Sequence, residues 1–247
     1  MEPALINAPL STESYMTKTD FSPIISAKKA AGKAAVELIK EGMLVGLGTG
    51  STTSYFIEAL GQRCRSGLNI SAVASSVQSM RQAHFEGIPL IDADKITLLD
   101  LTIDGADEID HHKNMIKGGG GALLREKLLA LASKEMVVVA DENKLVEQLG
   151  AFPVPVEIAT FAYRTTLKRL ESNGYSCILR LNRDESLYLT DNGNYIIDIQ
   201  YQKPIANPKL EHERLKSLAG VLETGLFFNV AGRVVVGYED GFAKILT

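Results

Sequence analysis

Short apolar runs separated by amphipathic stretches set the rhythm of the first part of the chain. Residues 43–47 (Met-Leu-Val-Gly-Leu), 70–73, 96–103 (Ile-Thr-Leu-Leu-Asp-Leu-Thr-Ile) and 136–140 (Met-Val-Val-Val-Ala) are largely apolar without strict alternation. Strands buried on both faces read this way. Between them, apolar residues recur at helical spacing over 27–41, 54–63, 77–86 and 122–133. Ser26 is placed to cap the first of these helices and Gly42 to end it. This strand–helix alternation predicts an α/β parallel sheet.

The pattern changes after Phe152-Pro153-Val154-Pro155. A helix is predicted over 161–172, strands over 176–181, 186–190 and 195–201, a helix over 207–218, and a further strand after it. Asp191-Asn192-Gly193-Asn194 reads as a hairpin turn. The order β-α-β-β-α-β predicts a small ferredoxin-like α+β domain over 152–222. The apolar stretches at 232–237 and 243–246 rejoin the first sheet, so the larger domain is expected to comprise 25–151 and 223–247. Residues 1–24 carry prolines, hydroxyl residues and acids without periodicity, and read as a flexible N-terminal extension.

Composition narrows the function. The 247 residues are 45% hydrophobic and 23% charged, enough for a sizeable core. A net charge of −4 gives no basic footprint for nucleic acid. No stretch approaches the length and apolarity of a membrane span, and no secretory leader is evident. Cys64 and Cys177 are isolated, as in a protein of a reducing cytosol, and read as small core fillers. His84, His111, His112 and His212 have no zinc-site spacing, and His111-His112 is expected to face solvent.

Three segments carry chemistry. Gly46-Leu-Gly-Thr49-Gly50-Ser51-Thr52 lies at a strand end and opens a helix, where free N–H groups favour phosphate. It lacks the lysine of a Walker A loop and the third glycine of a dinucleotide fingerprint, so it is either a tight turn or a phosphate contact. Asp104-Gly105-Ala106-Asp107-Glu108 follows the 96–103 strand, at the end where parallel sheets place ligands. Crowded carboxylates raise one another's pKa, which suits proton transfer, whereas the spacing does not fit an EF-hand. Lys117 precedes Gly118-Gly119-Gly120-Gly121, a run that lets a ligand approach the backbone, and Arg125-Glu126 follows on a helix. Taken alone, Glu126 is either a solvated helix residue or a base.

Together and in this order, Gly-Leu-Gly-Thr-Gly-Ser-Thr, Asp-Gly-Ala-Asp-Glu-Ile-Asp and Lys-Gly-Gly-Gly-Gly-Ala-Leu-Leu-Arg-Glu-Lys closely resemble the motifs of the A-type ribose-5-phosphate isomerases, from about residue 26 to the end. The resemblance implies a Rossmann-like domain with the small α+β domain, a cytoplasmic homodimer or homotetramer, and a sugar-phosphate substrate. It implies cofactor-free, metal-free interconversion of ribose 5-phosphate and ribulose 5-phosphate through an enediol. It assigns substrate contacts to Thr49, Gly50, Ser51, Thr52, Asp104, Gly105, Ala106, Asp107, Lys117, Gly118, Gly119, Gly120 and Lys144, with Lys28 as a further basic residue. Glu126 matches the base, and Asp104, Asp107 and Lys117 complete the catalytic set. Against this stand a sugar-phosphate lactonase or deaminase, which would lack Lys117, the glycine run and Glu126 together. A sugar-phosphate-sensing regulator would need a basic DNA-reading helix, which residues 1–24 do not supply.

Overall fold

The computed structural model describes residues 22–247, and the expected extension lies almost entirely outside them. Its last residues do not belong to an extension. Ser22 occupies the N-cap position and Pro23 the first turn of helix α1 (Pro23–Val36), which starts and ends several residues before the predicted span. Proline suits this position because its missing N–H would have no helical partner there. There follow β1 (Leu44–Leu47), α2 (Ser51–Arg65), β2 (Ser71–Ala74), α3 (Val77–Phe85) and β3 (Leu101–Gly105). Next come β4 (Glu108–Ile109), β5 (Met115–Ile116), α4 (Leu123–Leu131) and β6 (Met136–Asp141).

The main sheet has the order β13-β12-β6-β3-β1-β2, where β12 is Ala231–Gly237 and β13 is Ala243–Leu246. All its pairs are parallel except β12 with β13. The chain runs outward from β1 to β2 and then returns to β3 on the other side of β1. This reversal opens a crevice beyond the carboxyl ends of β1 and β3, the usual ligand position in such sheets. Helices α1 to α3 cover one face over Val45, Leu47, Ile103, Val137 and Val139. Met115, Phe227 and Ala130 cover Met136, Val138, Val234 and Val236 on the other.

The second unit contains β7 (Val154–Ile158), α5 (Tyr163–Ser172), β8 (Ser176–Leu179), β9 (Tyr195–Gln200), α6 (Pro208–Lys216) and β10 (Val221–Thr224). Its sheet runs β10-β7-β9-β8, antiparallel throughout. Counted within the unit, this is the 4-1-3-2 order of a ferredoxin-like fold. Because β10 belongs to this sheet, the chain crosses back after Thr224, two residues beyond the expected border. A short β11 (Leu226–Phe227) then joins β4 and β5 in a three-stranded sheet.

In the second unit one predicted strand is absent, and one observed strand was not predicted. Residues 186–190 form no ladder, and Leu181 and Leu187 make only an isolated bridge. The segment bends so that the Tyr188 hydroxyl reaches Gly120 O, 3.3 Å away. Conversely, β7 contains Pro155, which pairs with Asp198. Its carbonyl accepts Gly225 N–H at 2.7 Å. In a regular antiparallel pair the Pro155 N–H would bond the Gly225 carbonyl in return. Proline has none, and that carbonyl instead accepts Lys117 N–H at 2.8 Å.

Among the described residues, no helix is long and apolar enough to cross a membrane.

Candidate active site

The ends of β1 and β3 touch each other through Asp104. Gly48 is obligatory there, since a Cβ would lie 2.0 Å from Asp104 Oδ1. That oxygen accepts Thr49 N–H at 3.0 Å and Gly105 N–H at 2.7 Å. The Thr49 hydroxyl lies 2.8 Å from the hydroxyls of both Ser75 and Ser76, and Ser79 Oγ donates to Gly48 O at 2.6 Å. Helix α2 begins at Ser51, three residues earlier than predicted. Ser51 and Thr52 therefore sit in the first turn, where helical N–H groups have no internal acceptor. Lys28 of α1 reaches this turn, its ammonium 3.0 Å from Ser51 Oγ.

Opposite this turn lies a buried charge cluster. Lys117 Nζ is 2.8 Å from Asp104 Oδ2 and 3.4 Å from Glu126 Oε2, and it donates to Gly105 O at 2.6 Å. All three side chains are almost wholly inaccessible. The helical neighbours of Glu126 turn elsewhere. Arg125 Nη2 donates to Asp191 O at 2.7 Å, and Lys127 binds Glu223 and the carbonyls of Thr224 and Leu226. Lys117 is thus the cation that faces Glu126, rather than the adjacent basic residues of the sequence.

A cavity of about 110 Å³ separates the helix turn from this cluster. It is lined by Thr49, Gly50, Ser51, Thr52, Gly105, Ala106, Asp107, Lys117, Gly118, Gly119, Gly120, Glu126 and Lys144. Every site residue expected from the sequence is on that wall except Asp104, which lies buried beneath it. The 3₁₀ turn Glu142–Lys144 brings Lys144 to the cavity, with buried Asp141 accepting Asn143 N–H at 3.2 Å. Glu108 and Asp110 of the acidic motif are not part of the site. Glu108 accepts Gly150 N–H at 2.7 Å and Phe152 N–H at 2.5 Å, and Asp110 closes the turn to Asn114. His111 and His112 are exposed, as expected.

Comparisons with known proteins identify the family. The family model described as "Ribose 5-phosphate isomerase A (phosphoriboisomerase A)" matches residues 71–241. Ribose-5-phosphate isomerase A of Protochlamydia amoebophila is 64% identical over 231 residues, covering 94% of this chain and 100% of that protein. The chain belongs to the ribose 5-phosphate isomerase A family. The Bacillus mycoides protein of that name is 47% identical over 221 residues, covering 90% of this chain and 100% of its own. Among solved structures, the Plasmodium falciparum ribose 5-phosphate isomerase superposes with a TM-score of 0.85 at 36% identity, covering 89% of this chain and 97% of that one. The Neisseria gonorrhoeae ribose 5-phosphate isomerase A gives 0.83 at 38%, covering 92% and 97%.

For a member of the isomerase A family, the electrostatics of the cluster are informative. Burial, then the neighbouring Asp104 carboxylate, pushes Glu126 up to about 8 against the partial relief of Lys117. Burial also raises Asp104, outweighing Lys117 and the two backbone N–H bonds. For Lys117, burial favours the neutral amine, but attraction to Asp104 and Glu126 outweighs it and holds the ammonium above the ordinary lysine range. A carboxyl group poised near neutrality suits proton transfer in both directions.

Some neighbours of the site carry no local sequence signal. Thr53 lines the cavity, and its buried hydroxyl has no hydrogen-bond partner among the described residues. Arg180 and Tyr188 reach the glycine loop from the small unit. Ser76 and Ser79 support Thr49 from α3.

Proposed function

We propose that this cavity interconverts D-ribose 5-phosphate and D-ribulose 5-phosphate, with Glu126 as the base. The observation that carries the reading is one buried carboxylate beside one buried ammonium, both opening onto a cavity whose other end is a hydroxyl-rich helix N-terminus. The phosphate dianion suits Thr49, Gly50, Ser51 and Thr52, with Lys144 and Lys28 supplying positive charge. The reacting end of the sugar then lies among Gly105, Ala106, Asp107, Lys117 and Gly118 to Gly120.

Glu126 takes the proton from C2 of the open-chain aldose, and the C1 carbonyl oxygen gains negative charge as the enediolate forms. Lys117 and the glycine-loop N–H groups stabilise that charge. The proton returns to C1 from the same carboxyl group, while O2 loses and O1 gains a proton. Asp107, whose Oδ2 accepts Gly119 N–H at 2.8 Å, is placed for the hydroxyl shuttle and ring opening. Asp104 holds Lys117. None of these steps calls on a metal or cofactor.

The six-stranded unit serves as the catalytic domain, and the small unit backs its glycine loop. A cytoplasmic homodimer or homotetramer completes the proposal, supported by Leu128 and Leu131, which stand exposed one turn apart on α4. Sedimentation at the monomer mass would overturn that part.

The deciding experiment mixes EDTA-treated protein with ribose 5-phosphate and follows ketose formation. Sustained turnover is expected. No ketose would overturn the assignment, and activity restored only by added metal would overturn the metal-free chemistry.

A further inference from the structure

We propose that Arg180, carried by the small unit, is a positioning residue that sets the glycine loop for stabilising the enediolate. Its Nη1 donates to Gly118 O at 3.0 Å and Gly119 O at 3.2 Å. The same guanidinium is gripped by Asp198 of β9, with Nε to Oδ2 at 2.8 Å and Nη2 to Oδ1. Such a two-pronged pair fixes the plane of the guanidinium.

In a trans peptide the N–H points away from the preceding carbonyl. Holding Gly118 O and Gly119 O from the small unit therefore turns the N–H groups of Gly119 and Gly120 the other way. Gly119 N–H reaches Asp107 Oδ2 at 2.8 Å. Gly120 N–H has no acceptor among the described residues, and Gly120 lines the cavity. Four glycines hold no such orientation unaided, because each populates many backbone conformations. The Tyr188 hydroxyl on Gly120 O, at 3.3 Å, adds a third restraint from the same unit. Arg180 thus holds one donor free for the substrate and one on Asp107 without touching the substrate itself.

This inference rests on the isomerase reading, and the test separates the two. Arg180→Met, Arg180→Lys and Asp198→Asn are compared with wild type for kcat, KM and thermal melting. Inhibition is measured with inorganic phosphate and with phospho-erythronic acid, the compound bound in a solved D-ribose-5-phosphate isomerase. The carboxylate of that compound carries charge where the enediolate would. Arg180→Met is expected to lower kcat about 10- to 100-fold, as a misaligned donor does, with KM for ribose 5-phosphate within about threefold. The inhibition constant for phospho-erythronic acid should rise in step with the loss of kcat/KM, and that for inorganic phosphate should stay within about twofold. Arg180→Lys and Asp198→Asn should fall between the extremes, and they decide the matter if Arg180→Met does not fold. The proposal is overturned by near-normal kcat in these variants, or by equal weakening of both inhibitors, which marks a general collapse of the site. An inactive wild type would instead overturn the isomerase reading.

Discussion

Replacing Glu126 by Gln keeps the side-chain shape and removes both the base and a buried charge. A positioned base contributes about 100- to 10,000-fold, so kcat should fall by that factor, or about 3–5 kcal/mol of barrier. KM should change little, because the phosphate end of the cavity is untouched. The same change acts on stability. Glu126 has its folded value near 8, against the ordinary 4.5. Between those values the folded protein keeps a proton that the unfolded chain has released. Its contribution is fully present below about pH 4.5 and is lost as pH rises through about 8. Above that, the loss is on the order of a few kcal/mol. An amide in place of Glu126 does not titrate and has no such slope, so the variant should melt progressively higher than wild type as pH increases. The assay is ketose formation over ribose 5-phosphate concentrations from well below KM to saturation, with thermal melts, from about pH 5.5 to about pH 9.5, a range spanning the raised carboxyl value. Wild-type kcat/KM should climb with pH through about 8 as the carboxyl ionises, and the residual activity of the variant should not. A variant within tenfold of wild-type kcat, or one whose melting curve tracks wild type at every pH, would refute the reasoning. Asp104 would then be the next candidate base.

Lys117→Met leaves Asp104 and Glu126 facing each other without their shared cation. Melting should drop by the equivalent of about 3–5 kcal/mol near neutral pH and activity should vanish, whereas an active, equally stable variant would contradict the cluster's role. Lys144→Ala should raise KM and the inhibition constant of inorganic phosphate about 10- to 100-fold, the loss of one charged hydrogen bond, with kcat reduced far less. A fall confined to kcat would move Lys144 away from the phosphate. Gly48→Ala drives a methyl group into Asp104, so stability should fall by about 1–3 kcal/mol and kcat with it. Unchanged melting would mean that the strand ends have room to spare.

The site was legible where its chemistry is written contiguously. Asp104, Asp107, Lys117 and the glycines lie on one strand–loop–helix unit, so their order along the chain already groups them. Buried runs such as 136–140 gave the main sheet for the same reason. Glu126 was ambiguous because a glutamate on a helix is more often solvated than catalytic, and the adjacent Arg125 and Lys127, which favour it by sequence position, bind elsewhere. The cation it faces is set by the fold around Gly105. Arg180 and Tyr188 had no signal at all, since a stretch alternating leucine with polar residues reads as a strand until the glycine loop is in place to receive its tyrosine. The strand containing Pro155 was missed because proline argues against a strand with neighbours on both sides. Here its nitrogen lies opposite Gly225, at the very point where β10 has ended.

That proline has a consequence for how the enzyme comes into being. The Gly225 carbonyl left free by Pro155 is the backbone anchor of Lys117, and a Cβ at Gly225 would lie 2.2 Å from the Lys117 carbonyl. The backbone of the cation at the centre of the chemistry is therefore held by a residue far along the chain, on the return from the small unit. β12, which follows it, is also the parallel neighbour of β6. Without Gly225 in place, Lys117 keeps its side-chain partners but loses this backbone anchor. The site is therefore complete only when the segment after β10 has docked on both units, and activity in a refolding experiment should appear no earlier than that docking.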